Sequence, residues 1–369
     1  MLSGIRIIEI EGLGPGPFAA MLLADLGADV ITIHRKGQPI VPGMPEQSVL
    51  DRGKRSIDLN LKDAADVDIA RRLITSADAL IEGFRPGVME KLGLGPGTFA
   101  ASNPKLVYGR MTGWGQDSPL SQTAGHDLNY ISLSGALWYA STAGQPPLTP
   151  ATLVGDIGGG AMYLVAGILA GILNAQRTGQ GTIVDAAIYD GSAHMMNLLM
   201  SMRQTGNLSE TRGHSLLDGP HWSRTYACLD GGFVTVQCLE PKFYAEFLKK
   251  LGLTDDPEFQ KQYVPALWPK LTQRLSDLFA NKPRDHWATM FQGSDACVAP
   301  VLDPVEAQAH PMNTERQTWI EHSGALQAAA APRFSAQAWQ SKSSPRRGEH
   351  KQDILDELSA NAPRDPSSG

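Results

Sequence analysis

The sequence is poor in cysteine, and its cysteines are not spaced as a disulfide framework or a zinc site requires. Cys228, Cys238 and Cys297 are the only three in 369 residues, and no two of them form a C-x-x-C pair. An odd and widely spaced set excludes a disulfide-stapled secreted scaffold and the usual zinc motifs. Because the histidines are scattered as well, we expect no metal site and a location in the reducing cytoplasm.

Basic charge and long apolar runs are also scarce. Lys and Arg number 32 against 38 Asp and Glu, which gives a net charge of −6. Nucleic-acid-binding proteins normally carry a basic face, so that class of partner is disfavoured. The longest apolar run, 161–173, is shorter than the roughly 20 residues of a membrane span. We therefore expect a cytoplasmic enzyme without a membrane span.

Strand-like and helical segments alternate through the first half of the chain. A β-rich run at 5–10 precedes a glycine-rich turn, a helix at 18–26 and a strand at 30–33, and the alternation continues to a strand at 183–186. This pattern predicts an α/β fold with a parallel sheet and helices on both faces. We assign residues 1–200, completed by 320–369, to a Rossmann-like large domain.

The pattern changes after about residue 205. Runs at 225–228 and 233–238 flank an Asp-Gly-Gly turn and predict an antiparallel hairpin, which three helical segments follow. Residues 205–315 are therefore predicted to form a smaller α+β domain. The Ala-, Ser- and Pro-rich segment 322–345 is expected to be extended or loose chain, followed by a short helix from 351 to 358.

The glycine-rich turn after the first strand does not match a dinucleotide site. Its glycines stand at 12, 14 and 16, which is not G-x-G-x-x-G, and Pro15 and Pro17 stiffen the turn. The second strand ends in His34 and Arg35 instead of the acid that would bind a ribose. A tight strand-to-helix turn explains these glycines better than a nicotinamide cofactor does.

Basic residues gather in several loops of this acidic chain. Arg52-Gly53-Lys54-Arg55 precedes one strand, Arg35 ends another, and Arg85 and Lys91 follow a third. A charge run is most simply a solvated surface. Loops at one edge of a parallel sheet can instead hold a ligand with several phosphates. The sequence leaves both interpretations open.

A histidine and a carboxylate, each beside glycine, stand at the two ends of segment 125–160. His126 follows Gly125, whereas Asp156 follows Gly155 and precedes a helix predicted to start near Ala161. An imidazole and a carboxyl group facing one carbon can remove a proton from one side and return one from the other. Backbone N–H groups of residues 156–160 would then hold developing negative charge. Without such a partner, His126 would most simply be a core histidine.

Eight short motifs lie along nearly the whole chain. They are Gly-Pro-Gly-Pro-Phe at 14–18, Arg-Gly-Lys-Arg-Ser at 52–56, Arg-Pro-Gly-Val at 85–88, Met-Thr-Gly-Trp-Gly-Gln at 111–116, Gly-His-Asp-Leu-Asn-Tyr at 125–130, Gly-Asp at 155–156, Glu-Pro-Lys-Phe-Tyr at 240–244 and Asp-Ala-Cys-Val at 295–298. Together they resemble the class III CoA-transferase superfamily of CaiB/BaiF type, and within it the α-methylacyl-CoA racemases. The resemblance implies an acyl-CoA substrate, a coenzyme A-binding large domain and an interlocked homodimer.

The resemblance also implies roles for individual residues. His126 and Asp156 match the acid/base pair, and Glu240 matches a glutamate that supports the histidine from the small domain of the other subunit. Because Glu240 precedes Pro241, helix capping is its simpler role. The positions that match coenzyme contacts are Arg35, Leu59, Asn60, Leu61, Lys62, Gly83, Phe84, Arg85, Lys91, Gly125 and Tyr130. No prosthetic group and no metal are implied, since coenzyme A enters as part of the substrate.

The expected function is racemisation of 2-methyl-branched acyl-CoA thioesters by proton transfer at C2 through an enolate. A CoA transferase of the same superfamily would use Asp156 as a nucleophile, and it often carries a glycine-rich lid where this chain has 217–224. A non-catalytic acyl-CoA-binding protein is the third hypothesis. His221 and Trp222 also depart from the racemase pattern, and we expect them to reshape the acyl site.

Overall fold

The structure is a computed structural model that describes residues 1–37, 45–336 and 340–360. The chain packs as two units, of which the first comprises Met1–Leu137, Thr149–Met195 and Gln317–Gly369 and the second Trp138–Leu148 and Met196–Arg316. The sequence places 138–148 in the large domain, whereas its contacts assign it to the second unit. Residues 337–339 and 361–369 of the predicted completing segment lie outside the described residues.

Strands and helices have the following bounds. The strands are β1 (Arg6–Ile10), β2 (Asp29–Arg35), β3 (Arg55–Leu59), β4 (Ala79–Glu82), β5 (Val107–Thr112), β6 (Thr182–Ala187), β7 (Ser223–Ala227), β8 (Phe233–Gln237), β9 (Val298–Pro300), β10 (Trp319–His322) and β11 (Ala325–Ala328). The helices are α1 (Pro15–Asp25), α2 (Ala64–Thr75), α3 (Val88–Lys91), α4 (Pro96–Phe99), α5 (Asp127–Leu133), α6 (Met162–Thr178), α7 (Ile188–Met195), α8 (Asn197–Gln204), α9 (Pro241–Leu251), α10 (Trp268–Phe279), α11 (Arg284–Phe291), α12 (Pro304–Ala309), α13 (Pro311–Arg316) and α14 (Lys351–Ala360). A π-helix, Leu153–Ala161, runs directly into α6. The antiparallel pair β10–β11 shows that 322–345 is not entirely loose chain.

Six strands of the first unit form one parallel sheet in the order β3-β2-β1-β4-β5-β6. Ile8 in β1 stands opposite Ile31 on one side and Leu80 on the other. This is the strand order of a doubly wound sheet. Strands of such a sheet that are covered by helices on both faces are nearly continuous apolar runs. The predicted α/β class is confirmed.

Neighbouring residues of β1 serve two separate cores, because side chains alternate across a strand. Ile7 packs with Leu164 of α6 on one face, and Ile8 packs with Leu73 of α2 and Ile354 of α14 on the other. All of these side chains are almost fully buried. The final helix thus packs on the first domain, as the sequence predicts.

The helical run Leu153–Thr178 is long and apolar enough, by length and composition, to cross a membrane. It spans 26 residues, so the expectation that no apolar run reaches that length is wrong. A single such helix is weak evidence of insertion, and here its buried side chains, including Leu164 and Ile168, pack in the core of the first unit. Its apolar composition is accounted for by that packing.

The core of the second unit contains the two residues that the sequence assigned to the acyl site. Trp222 donates its indole N–H to the Gln262 carbonyl at 3.1 Å, and His221 Nε2 lies 2.7 Å from the Tyr244 hydroxyl. Both residues are 0% exposed. Burial, together with the charge of Arg224, lowers the pKa of His221 to about 3, so the ring is neutral. The expectation that they reshape the acyl site is therefore wrong.

Segment 138–148 is held in the second unit by one arginine. Arg212 donates to the carbonyl oxygens of Ala140 at 2.6 Å, Thr142 at 3.1 Å and Gln145 at 2.8 Å. Trp138 adds an indole N–H bond to the carbonyl of Glu210 at 3.0 Å. A loop has no sheet or helix partners for its carbonyl groups, so these bonds satisfy them.

The basic cluster that begins at Arg52 is largely buried within the first unit. Arg52 lies 2.6 Å from Asp25, and the Lys54 ammonium, whose side chain is 0% exposed, lies 2.7 Å from Glu9. Charges this deep require a partner. Neither interpretation offered by the sequence, a solvated surface or a phosphate site, is correct for Arg52 and Lys54.

Replacing Lys54 with methionine is expected to lower the free energy of unfolding by about 3–5 kcal/mol, because it leaves the Glu9 carboxylate buried without its counter-charge. Urea denaturation measures the loss. As a control, Arg203→Ala removes an exposed pair with Glu210, whose side chains are 59% and 83% exposed. That change is expected to cost about 0–1 kcal/mol. Equal losses in the two variants would contradict the assigned role of the buried pair.

Candidate active site

A cavity of about 570 Å³ opens at the carboxyl ends of β1, β2 and β3 in the first unit. Ligands of doubly wound sheets bind at this edge, and the volume is typical of a small-molecule site. Six of the predicted coenzyme contacts line it, namely Arg35, Leu59, Asn60, Leu61, Lys62 and Phe84. The sequence resemblance and the geometry therefore select the same cavity.

Other predicted contacts do not line this cavity. Gly83, Arg85 and Lys91 are exposed residues. They are close along the chain to Phe84 and Val88, which line the cavity. Gly125 and Tyr130 belong instead to the surroundings of His126, which are described below. The roles of all eleven predicted positions in coenzyme binding stay predictions.

Glu82 holds the loop that carries Phe84, and the sequence analysis did not single it out. Its carboxylate accepts the backbone N–H of Phe84 at 2.7 Å and lies 3.6 Å from the Nε of Arg110. Burial outweighs both interactions and, helped by the charge of Glu90, raises the pKa of Glu82 to about 7. Its position at the end of a buried strand is the only sequence signal that could have pointed to it.

His126 occupies the N-cap of α5, where its imidazole stays available. Its backbone N–H donates to Asn129 Oδ1 at 3.0 Å, which fixes the start of the helix. The side chain is exposed to solvent. His126 is therefore not a core histidine.

Asp156 lies in the π-helix, which starts well before the predicted helix at Ala161. The Asp156 N–H donates to Asp127 Oδ1 at 2.8 Å, and the Ile157 N–H donates to the carbonyl of Thr152 at 3.1 Å. These two N–H groups are already engaged, so they do not hold developing negative charge; for the rest of residues 156–160 that role stays a prediction. The side chain of Asp156 is only partly buried.

Glycines in the π-helix are required by close packing. A Cβ at Gly159 would lie 2.3 Å from Ser192 Oγ, and one at Gly191 of α7 would lie 1.9 Å from the Gly159 carbonyl oxygen. Only glycine allows two helices to approach this closely. The glycine run after Asp156 therefore positions the π-helix against α7, which is a structural role.

Burial and a neighbouring charge make Asp156 a weaker acid than an ordinary aspartate. Burial and the Asp127 carboxylate raise the pKa of Asp156 to about 6, and the charge of His126 opposes them. His126 is thus near enough for its charge to act on Asp156. Asp127 is buried, and its Oδ2 has no hydrogen-bond partner among the described residues. The motif at 125–130 contains Asp127, but the sequence analysis assigned it no role.

Tyr130 packs against Gly125, which immediately precedes His126 in the chain. Tyr130 packs edge-on to Trp114 with ring centroids 4.7 Å apart, and its hydroxyl donates to the Gly125 carbonyl. A Cβ at Gly125 would come within 2.8 Å of the Tyr130 ring. Burial and the charge of Asp156 raise the pKa of Tyr130, so the phenol stays neutral.

Glu240 belongs to the second unit and stands at the N-cap of α9. Its carbonyl oxygen accepts the N–H groups of Phe243 and Tyr244, each at 3.0 Å, while its side chain is exposed and caps nothing. Glu240 therefore occupies the N-cap position that the simpler role requires, but its side chain does not cap the helix. Its pairing with the histidine of another subunit stays a prediction.

Comparison with known proteins identifies the family of this chain. The family described as CoA-transferase family III matches residues 2–351. Alpha-methylacyl-CoA racemase of Mus musculus is 40% identical over 362 residues, 97% of this chain and 93% of the relative, and the Homo sapiens protein of the same name is 39% identical with the same coverage. The crystal structure of a CAIB/BAIF family protein from Brucella suis superposes with a TM-score of 0.80 at 25% identity, covering 97% and 99% of the two chains.

The likeness extends over almost the full length of the chain and of these relatives, so it includes both units. The fold, the family match and the two racemases agree with one another. The chain is an isomerase, and it belongs to CoA-transferase family III.

Proposed function

We propose that this enzyme racemises 2-methyl-branched acyl-CoA thioesters by moving the proton at C2. The observation that carries the proposal is that an exposed imidazole, His126, lies near enough for its charge to act on the carboxyl group of Asp156, whose pKa is about 6. A group poised near the working pH can both accept and donate a proton. The racemases that resemble this chain supply the substrate class.

In the proposed reaction, the thioester carbonyl makes the C2–H acidic, and one of the two side chains removes that proton. The carbanion is delocalised as an enolate, whose carbon is then planar. The other side chain returns a proton from the opposite side, which inverts the configuration. For the opposite substrate hand, His126 and Asp156 exchange roles.

The lining of the cavity at the sheet edge supports a coenzyme A site. Apolar side chains, including Leu59, Leu61 and Phe84, form its wall, and Arg35 and Lys62 add positive charge. An adenine ring and phosphate groups require this combination. We propose that the coenzyme is anchored here while its acyl end reaches His126 and Asp156.

CoA transfer is the second candidate, because the family is described by that reaction. A transferase would use the Asp156 carboxylate as a nucleophile. Where a glycine-rich lid would stand, Gly219 to Trp222 are buried in the second unit. That packing, with His126 beside Asp156, favours proton transfer.

Incubation with one enantiomer of a 2-methylacyl-CoA in D2O is expected to place deuterium at C2. His126→Ala and Asp156→Asn should each slow the formation of the deuterated opposite enantiomer by about 10²–10⁴-fold, because inversion requires both acid/base groups. Mass spectrometry of the two separated enantiomers measures it. His286→Ala, at an exposed histidine of the second unit, is the matched control and should exchange normally. Coenzyme A that moves to an added carboxylate, without any exchange, would instead establish the transferase.

The pH dependence of kcat/KM should report the protonation state of Asp156. In the direction in which Asp156 donates the proton it must be neutral, so the rate falls as the pH rises through about 6. In the other direction it must be ionised, so the rate falls as the pH drops through the same value. Asp127→Asn removes the neighbouring charge while keeping an acceptor for the Asp156 N–H, so both inflections should move to lower pH.

The shift is measured with each enantiomer separately. Asp68→Asn, at an exposed aspartate of α2, leaves the inflections unchanged as a matched control. Unmoved inflections in Asp127→Asn would show that the buried charge does not act on Asp156.

A mixed dimer tests the proposed role of Glu240. Chains carrying His126→Ala and Glu240→Gln are each expected to be nearly inactive alone. If Glu240 serves the site of the other subunit, co-expression produces dimers in which one site has both native residues, and roughly half of the activity per dimer returns. If Glu240 acts within its own subunit, no dimer contains an intact site and nothing returns.

A further inference from the structure

Arg347 reaches the coenzyme cavity from a part of the chain far from the other lining residues. Its neighbour Gly348 donates its N–H to Ser56 Oγ at 2.9 Å, and His350 donates its N–H to the Ser56 carbonyl at 3.0 Å. Gly348 has φ 73°, and a Cβ there would lie 2.8 Å from Asp58 Oδ1. The segment is therefore fixed on β3, and the direction of Arg347 is fixed with it.

The guanidinium is held by Glu11, which also lines the cavity. Arg347 Nη1 donates to Glu11 Oε2 at 3.3 Å, and Nη2 donates to Oε1. Glu11 also accepts the Arg35 N–H at 2.8 Å. Although burial opposes it, His34, the Arg35 N–H and Arg347 lower the pKa of Glu11 to about 2, so the carboxylate stays charged.

This pairing leaves donors for a ligand. A guanidinium has five N–H groups, and two are engaged by Glu11. The Arg347 side chain is 25% exposed. With Arg35 and Lys62, it makes three cations on a cavity that also has an apolar wall.

We propose that Arg347 binds the 3′-phosphate of coenzyme A and that Glu11 is the positioning residue that orients its guanidinium. This inference rests on the proposed function only in taking coenzyme A as the ligand. The 3′-phosphate is carried on the ribose next to the adenine, so cations beside the apolar wall meet it when the ring is in place. A phosphate monoester also carries close to two negative charges at pH 7, and a guanidinium can bind it through two N–H groups.

Calorimetric titration of the full chain with coenzyme A and with 3′-dephospho-coenzyme A tests the proposal. Arg347→Ala should weaken coenzyme A binding by about 10–100-fold, because a charge-assisted hydrogen-bond pair is lost, and should leave dephospho-coenzyme A binding nearly unchanged. Arg347→Lys should recover part of the loss, since it keeps the charge without the fork of donors. Arg346→Ala, at the exposed neighbouring arginine, is the matched control and should bind both ligands normally.

Glu11→Gln separates orientation from simple charge. Loss of coenzyme A affinity in this variant supports the positioning role, because removing a negative charge alone would strengthen phosphate binding. Equal weakening of both ligands in Arg347→Ala, or no weakening of either, would overturn the assignment, provided that its thermal midpoint matches the native chain. Native protein that binds coenzyme A without exchanging the C2 proton would reject the proposed function alone.

Discussion

One hydrogen bond between neighbouring elements determines the geometry of the candidate site. Asp127 Oδ1 accepts the backbone N–H of Asp156, which ties the start of α5 to the π-helix. The same carboxylate brings a second negative charge beside Asp156. Asp127 therefore fixes the position of Asp156 and also raises its pKa. Because His126 immediately precedes Asp127 in the chain, the same contact also places His126 near Asp156. The proposed proton transfer depends on both effects.

Most of the first unit could be predicted from local pattern. Apolar strands alternating with helices determine a parallel sheet, and strand ends in such a sheet share one edge, so residues 59–62 fall at the cavity. Partners of buried charges could not be predicted. Lys54 finds Glu9, which is 45 residues away along the chain, only after β1 and β3 have entered the sheet. A sequence shows which side chains are charged, but it does not show which of them will pair in the fold.

In the candidate site, too, the sequence identified some of the functional residues but not others. His126 and Asp156 were recognisable because each stands in a distinctive motif, whereas Glu82, Asp127 and Arg347 act through contacts that form only in the fold. His221 and Trp222 illustrate the reverse error. Their departure from a familiar pattern suggested a ligand contact, but the departure is absorbed by aromatic packing in the second unit.

The π-helix before α6 makes this part of the chain sensitive to length as well as to composition. Each of its turns contains more residues than an α-turn, and such rare segments frequently occur at functional sites. Deleting one residue between Leu153 and Asp156 would give the Ile157 N–H and the Thr152 carbonyl, which are five residues apart in this chain, the spacing of an α-helical pair. It would also rotate the preceding residues by about 100° around the helix axis. A single-residue length change could thus redirect the chain entering this helix while leaving α6 seated on the sheet.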